Sequence, residues 1–252
     1  MNDRPVYELF SVEGKRALVT GGTAGLGRAM AEALIAGGAK VAIVGRADRV
    51  MTVAKEMGAL PLRADLADRT QALALIDRAV QALGGLDVLV NNAGAQIRHP
   101  AEEFPLEDWD QVLAVNLHAV WILAQAAGRV MLVQGRGKII NIASMMSFFG
   151  GITIPAYAAS KGAVAQLTKA LSNEWAARGV NVNAIAPGYL DTELNAALVG
   201  NPQREPAILA RIPAGRWGVP ADLQGVVLFL ASAASDYVHG AVIPVDGGYL
   251  GR

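Results

Sequence analysis

Tyr157 and Lys161 stand four positions apart in "PAYAASKGA", a run that otherwise holds only Pro, Ala, Ser and Gly. On a helix this spacing stacks the two side chains on one face. A phenol beside an ammonium is a proton-transfer pair. Positive charge favours phenolate, so Lys161 is expected to bring Tyr157 down from its ordinary value of about 10 toward the range where it exchanges a proton near neutrality. The pair alone is a weak signal, because Tyr and Lys fall at this spacing by chance. Ser144 in "NIASMMS", Asn116 in "VNLHAV" and "NNAG" at Asn91 to Gly94 add polar groups after apolar runs. Taken singly, Ser144 reads equally as a buried hydroxyl, Asn116 as a helix-interior amide, and Thr192 in "PGYLDT" as a cap.

A second set of residues has the chemistry of a phosphate cradle. "TGGTAGLG" places Gly21, Gly25 and Gly27 between the first expected strand and the first expected helix. Glycines allow a tight turn and close backbone approach, and a helix N-terminus offers free N–H groups to a pyrophosphate. About twenty residues further on, a dinucleotide site usually carries an acid for the adenosine ribose of NAD, or an Arg for the 2′-phosphate of NADP. Here "AIVGRADR" has Gly45 where the acid would stand, then Arg46, with Arg49 close by. The expected cofactor is therefore NADP(H), with NAD(H) as the alternative. Asp65 in "RADLAD" falls at the end of the third expected strand, where it meets the adenine or caps the next helix.

The elements that must position these residues follow from periodicity. "RALVT", "KVAIV", "LPLR", "LDVLVN", "GKIINIA", "VNVNAIA" and "AVIPV" read as strands, several apolar on both faces. Helical spacing runs through "GRAMAEALIAGG", "DRTQALALIDRAVQALGG", about Asp108 to Gln134, about Tyr157 to Arg178, and "ADLQGVVLFLAS". This alternation predicts one α/β domain over residues 1–252, a Rossmann-like doubly wound parallel sheet of about seven strands with helices on both faces. Ligands of such sheets bind beyond the carboxyl ends of the strands, where the strand order reverses. The segment from Thr192 to Pro220 carries Pro202, Pro206, Pro213 and Pro220 and no clear strand, which fits a substrate lid.

Composition bounds the partners. Lys plus Arg and Asp plus Glu are 22 each, so no general basic field exists for nucleic acid or an anionic membrane. With 53% hydrophobic and 17% charged residues the chain can bury a large core. It has no cysteine, and "MNDRPVYELFSVEGK" lacks a charged-then-apolar leader, so a cytoplasmic location is expected. The most apolar stretch, "VLAVNLHAVWILAQAAGRVMLVQ", is interrupted by Asn116, His118, Gln125 and Arg129, which suits a buried or subunit-facing helix better than a membrane span. His99, His118 and His239 are scattered without metal-like spacing.

In order along the chain, the glycine turn, NNAG, Asn116, Ser144, the Tyr157–Lys161 pair and "PGYLDT" resemble a short-chain dehydrogenase/reductase over nearly the whole length. The resemblance implies hydride transfer to or from a secondary alcohol or ketone. It gives Tyr157 the proton transfer, Lys161 the nicotinamide ribose, Ser144 the substrate oxygen and Asn116 a water-linked proton path. It also implies cofactor contacts from Gly21, Gly25, Leu26 and Gly27, from Arg46, Asp65 and Leu66, from Asn92, Ala93 and Gly94, and from Pro187, Gly188 and Thr192. A homotetramer is implied, in contact through the two long apolar helices. "GKIINIASMMSFFGG", "NEWAARGVNVNAIAPGY", "RIPAGRWGVPADL" and the ending "VDGGYLGR" further resemble a group that acts on 2-deoxy-D-gluconate or 2-dehydro-3-deoxy-D-gluconate. A small sugar acid needs a cation for its carboxylate, and Arg98 is the first choice, with Arg211 and Arg216 behind it. Two positions depart from that group: it generally uses NAD, against Gly45-Arg46 here, and it carries a basic residue near Thr153. Another polyol or keto-sugar reductase, or a non-catalytic NADP(H)-binding regulator, are the alternatives.

Overall fold

The structure is a computed structural model and describes residues 5–196 and 198–252. Seven strands form one sheet: β1 (Arg16–Thr20), β2 (Lys40–Gly45), β3 (Leu60–Arg63), β4 (Val88–Asn91), β5 (Gly137–Ile142), β6 (Val180–Pro187) and β7 (Val242–Val245). Their order is β3-β2-β1-β4-β5-β6-β7 with every pairing parallel, so the order reverses between β1 and β4. The seven apolar runs are the seven strands. β4, β5 and β6 are buried throughout, because both faces of a parallel sheet are covered by its crossover helices.

The alternation of side chains along each strand divides the core in two. Ala17 and Val19 of β1 face a layer built from α1 (Gly25–Ala36), α2 (Arg49–Met57) and, from the end of the chain, a helix at Gln224–Ala231. Leu18 points the other way, into a layer with α3 (Arg69–Leu83) and the helices at Ala119–Gln134 and Pro155–Trp175. Between α3 and the end come α4 (Leu106–Leu113), α5 (Ala119–Gln134), α6 (Pro155–Trp175), α7 (Glu205–Leu209) and α8 (Gln224–Ala231).

Three features differ from the sequence expectations. The helix expected over about Asp108 to Gln134 is α4 and α5 joined by a π-turn at Ala114–His118. Leu106–Gln134 is long and apolar enough to cross a membrane by length and composition, yet Ile122, Leu123, Ala127 and Met131 pack into the core beside α3. α2 went unread, since only Val50, Val53 and Ala54 mark its buried stripe. The Thr192 to Pro220 stretch also carries α7, and a bridge from Leu190 to Gly218 draws its two ends together.

Candidate active site

Tyr157 and Lys161 occupy the first turns of α6, which Pro155 starts. Lys161 is 4% exposed; its Nζ donates to the Ile142 carbonyl at the end of β5 at 2.6 Å and lies 5.6 Å from the centre of the Tyr157 ring. Burial pulls the Lys161 ammonium down to about 8. The same cause pushes the Tyr157 phenol above its ordinary value, opposed by a hydrogen bond with Ser144 and by the charge of Arg98. The Lys161 ammonium gives its hydrogen bond to a backbone carbonyl, and the charge of Arg98 acts on the phenol in the direction expected of Lys161. Ser144 opens the short turn after β5, where its Oγ accepts the Met146 N–H at 3.1 Å.

Asn116 is fully buried in the π-turn, whose extra residue rotates it toward α6. Its Oδ1 accepts from Ala95 N at 2.7 Å, and its Nδ2 donates to Ala95 O at 2.9 Å and to Ser160 Oγ at 3.1 Å. Ser160 Oγ in turn donates to the Tyr157 carbonyl at 2.7 Å. The amide thus locks the segment after NNAG to the helix that carries the phenol. Gly94 faces the same point, since a Cβ there would stand 3.5 Å from Asn116 Oδ1 and 3.9 Å from Lys161 Nζ.

The glycine turn is held from β4. Asn92 Nδ2 donates to the carbonyls of Thr20 and Gly21, at 2.9 and 3.3 Å, while Thr20 Oγ1 accepts from the N–H groups of Asn92 and Ala93. Gly21 and Gly25 have φ of 64° and 51°, and a Cβ on Gly27 would overlap Gly21 O and Asn92 Nδ2. No side chain caps α1, which leaves its first-turn N–H groups to a ligand. Asn91 takes a different part: its Nδ2 bonds Asn141 Oδ1 at 3.0 Å and ties β4 to β5. The turn opens on a cavity of about 310 Å³ lined by Gly21, Gly45, Arg46, Asp65, Leu66, Ala93 and Gly94. Arg46 is exposed and makes no ion pair among the described residues. Arg49 is not among the lining residues. Asp65 accepts from Ala67 N at 3.0 Å and does not cap α3; Asp68 does that. The cavity, the uncapped helix and the glycines suit a dinucleotide.

Across the sheet edge a second cavity, of about 270 Å³, contains Ser144 and Tyr157 together with Leu26, Pro187, Gly188 and Thr192. Thr192 makes no capping bond. Arg98, Arg204 and Arg211 line this cavity, and no Asp or Glu does among the described residues. None of the three makes a salt bridge among the described residues. Arg216, a sequence candidate for the same task, is corrected: its guanidinium holds Asp222 at 2.8 and 2.9 Å and lines a separate cavity. Arg204 and Tyr249 of the lining were not singled out from sequence. Thr153 does not line the cavity; its φ of 64° makes it the one non-glycine left-handed residue among the described residues.

A parallel sheet with a dinucleotide cleft at its switch point, flanked by a ligand-sized cavity that Ser144 and Tyr157 line, with Lys161 one turn further along the Tyr157 helix, defines a nicotinamide-dependent oxidoreductase. A family model described as enoyl-(acyl carrier protein) reductase matches residues 21–250. The chain belongs to the short-chain dehydrogenase/reductase family. It is 48% identical over 252 residues to 2-dehydro-3-deoxy-D-gluconate 5-dehydrogenase of Escherichia coli (strain K12), covering 98% of this chain and 100% of that one. A Beutenbergia cavernae protein assigned as an NAD(P)-dependent gluconate 5-dehydrogenase, solved with NADP at low occupancy, is 50% identical with a TM-score of 0.94, over 97% of this chain and 100% of that one. A gluconate 5-dehydrogenase from Burkholderia cenocepacia, solved with NADP and tartrate, is 42% identical with a TM-score of 0.95, over 98% and 100% of the two chains.

Proposed function

We propose that this oxidoreductase moves a hydride between NADP(H) and a secondary alcohol or ketone of a five- or six-carbon sugar acid of the 2-dehydro-3-deoxy-D-gluconate type. One observation carries the substrate class: among the described residues, three arginines without carboxylate partners line the cavity that holds Ser144 and Tyr157, and no acid does. Guanidinium groups left unpaired in a cleft invite a carboxylate, which they bind through paired N–H donors. The names of the similar dehydrogenases, sugar-acid enzymes from several bacteria, support the same class.

The bound nicotinamide supplies the hydride acceptor in oxidation and the donor in reduction. Ser144 Oγ orients the substrate oxygen, and Tyr157 takes its proton in oxidation or gives it one in reduction. Lys161, buried beside Gly94 and tied to Ile142, holds the nicotinamide ribose. Asn116 keeps Ala95 and α6 in register, with both amide protons donated within the fold, and supports a water-linked proton path at this turn. Thr192, with its hydroxyl uncommitted to a cap, meets the nicotinamide amide. Arg46 takes the 2′-phosphate. The segment from Thr192 to Pro220 acts as the substrate lid of a single catalytic domain. A homotetramer formed through α5 and α6 fits the exposed Trp121 and Val133 on α5, and the cytoplasm is the compartment that suits a cysteine-free, NADP(H)-linked enzyme.

The test is an initial-rate screen of sugar acids, neutral ketoses and polyols with NADP(H). The highest kcat/KM is expected on a deoxy sugar acid. A neutral ketose or polyol in first place would make the enzyme a reductase of those compounds, and no turnover on any carbonyl or alcohol would make it a cofactor-binding regulator.

A further inference from the structure

Arg211 does not reach into the substrate cavity as a free side chain. Its Cζ lies 4.2 Å from the centre of the Tyr249 ring, and Tyr249 is 4% exposed. That ring is fixed in turn, stacked on Phe149 at 5.8 Å and edge-on to Tyr189 at 5.3 Å. The segment that carries it, residues 246–252, is turned by Asp246, whose carboxylate accepts the N–H groups of Gly248 and Leu250 at 2.9 and 2.8 Å. The same segment is laced to the lid. Gly247 O accepts from Ala214 N at 3.0 Å, and the Arg252 guanidinium donates to Ala210 O at 2.8 Å.

We propose that Tyr249 positions Arg211 as the anchor for the substrate carboxylate, which makes the segment 246–252 a specificity-determining wall of the site. This rests on the sugar-acid reading and assigns its charge recognition. A free guanidinium loses rotamer freedom on binding, whereas one already stacked on a packed aromatic ring has lost much of it beforehand. Stacking uses the face of the guanidinium and leaves the N–H donors at its edge for a bidentate carboxylate. Arg204 has no such platform. Arg98 has no such platform either, and it lines the cavity in the company of Ser144 and Tyr157. In an acid whose reacting carbon is remote from its carboxyl carbon, the reacting end then lies by Tyr157 and Arg98, and the carboxylate by Arg211.

The test is steady-state kinetics on the sugar acid that the wild-type enzyme turns over best, with Arg211→Met, Tyr249→Phe, Tyr249→Leu and the Arg211→Met/Tyr249→Leu double variant. Arg211→Met keeps the stem on an exposed residue and so leaves folding intact. It should raise KM for the acid about tenfold or more, with kcat and the KM for NADP(H) within about twofold of wild type. Tyr249→Phe retains the aromatic platform and should behave as wild type. Tyr249→Leu should raise the same KM, and the double variant should be no worse than Arg211→Met, because both changes remove one interaction. An unchanged KM for the acid in Arg211→Met would overturn the inference, as would a rise in the cofactor KM instead. Failure of the sugar-acid reading shows separately, in a wild-type enzyme that prefers neutral substrates.

Discussion

Lys161 and Tyr157 share one face of α6 but do not pair: Nζ stands 5.6 Å from the ring centre and gives its hydrogen bond to Ile142 O. Burial moves the two groups in opposite directions, the phenol up and the ammonium down to about 8. At neutral pH the phenol is therefore protonated, the form that donates in reduction. Reduction should be flat through neutral pH and fall only in alkali, while oxidation should accelerate as pH rises toward the phenol's value. Arg98→Ala removes the cation that opposes burial and should move both profiles to higher pH. Profiles of kcat/KM in the two directions check this; an unmoved profile in Arg98→Ala would show that Arg98 does not act on Tyr157.

Lys161→Met should lose turnover and weaken cofactor binding, yet be at least as stable as wild type at pH 7. Below pH about 8 the ammonium is charged in both folded and unfolded chains, so its burial penalty, of order 1–3 kcal/mol less what the Ile142 bond returns, is present in full. Between about 8 and the ordinary lysine value of about 10, the folded chain releases its proton first and wild type regains stability. Thermal unfolding at pH 7 and pH 9 should therefore show the gap between variant and wild type closing with pH. A gap that widens contradicts the burial argument.

Tyr157→Phe removes the proton-transfer group and keeps the ring. Hydride transfer should fall by about a thousandfold or more, with NADPH affinity changed by less than about threefold. Single-turnover absorbance and cofactor titration separate the two quantities, and appreciable residual turnover would remove Tyr157 from the chemistry.

The cofactor preference places its weight on Arg46 and Gly45. Arg46→Ala should lose up to about a hundredfold in NADP(H) over NAD(H) discrimination, the worth of about 3 kcal/mol in charge-assisted bonds. Gly45→Asp should turn the preference to NAD(H) by repelling the 2′-phosphate, at some cost in stability, because its Cβ would stand 2.8 Å from the Thr23 methyl. Ratios of kcat/KM for the two cofactors decide it, and an Arg46→Ala ratio equal to wild type would mean that the guanidinium stays in solvent.

The strands were legible because burial on both faces writes continuous apolar runs, and the chemistry because Ser144, Tyr157 and Lys161 keep fixed places after β5 and on α6. Pairwise engagement was not legible. That Asn116 spends its amide on Ala95 depends on a π-turn, which a helical repeat does not announce. That Arg216 belongs to Asp222 and Arg211 to Tyr249 depends on how residues 192–220 fold against residues 246–252, and the Pro-rich segment has no periodicity from which to read it. α2 was missed for a simpler reason: nine residues with three buried positions look like a polar connection.

The most direct test of the account is the wild-type ratio of kcat/KM, with NADP(H), for a deoxy sugar acid over the neutral compound of the same chain with its carboxylate replaced by a hydroxymethyl group. Three arginines facing a cavity without acids predict a ratio of about thirty or more in favour of the acid, since losing the anion leaves the guanidinium groups unpaired at about 2 kcal/mol or more. A ratio near one, or one that favours the neutral compound, would contradict it.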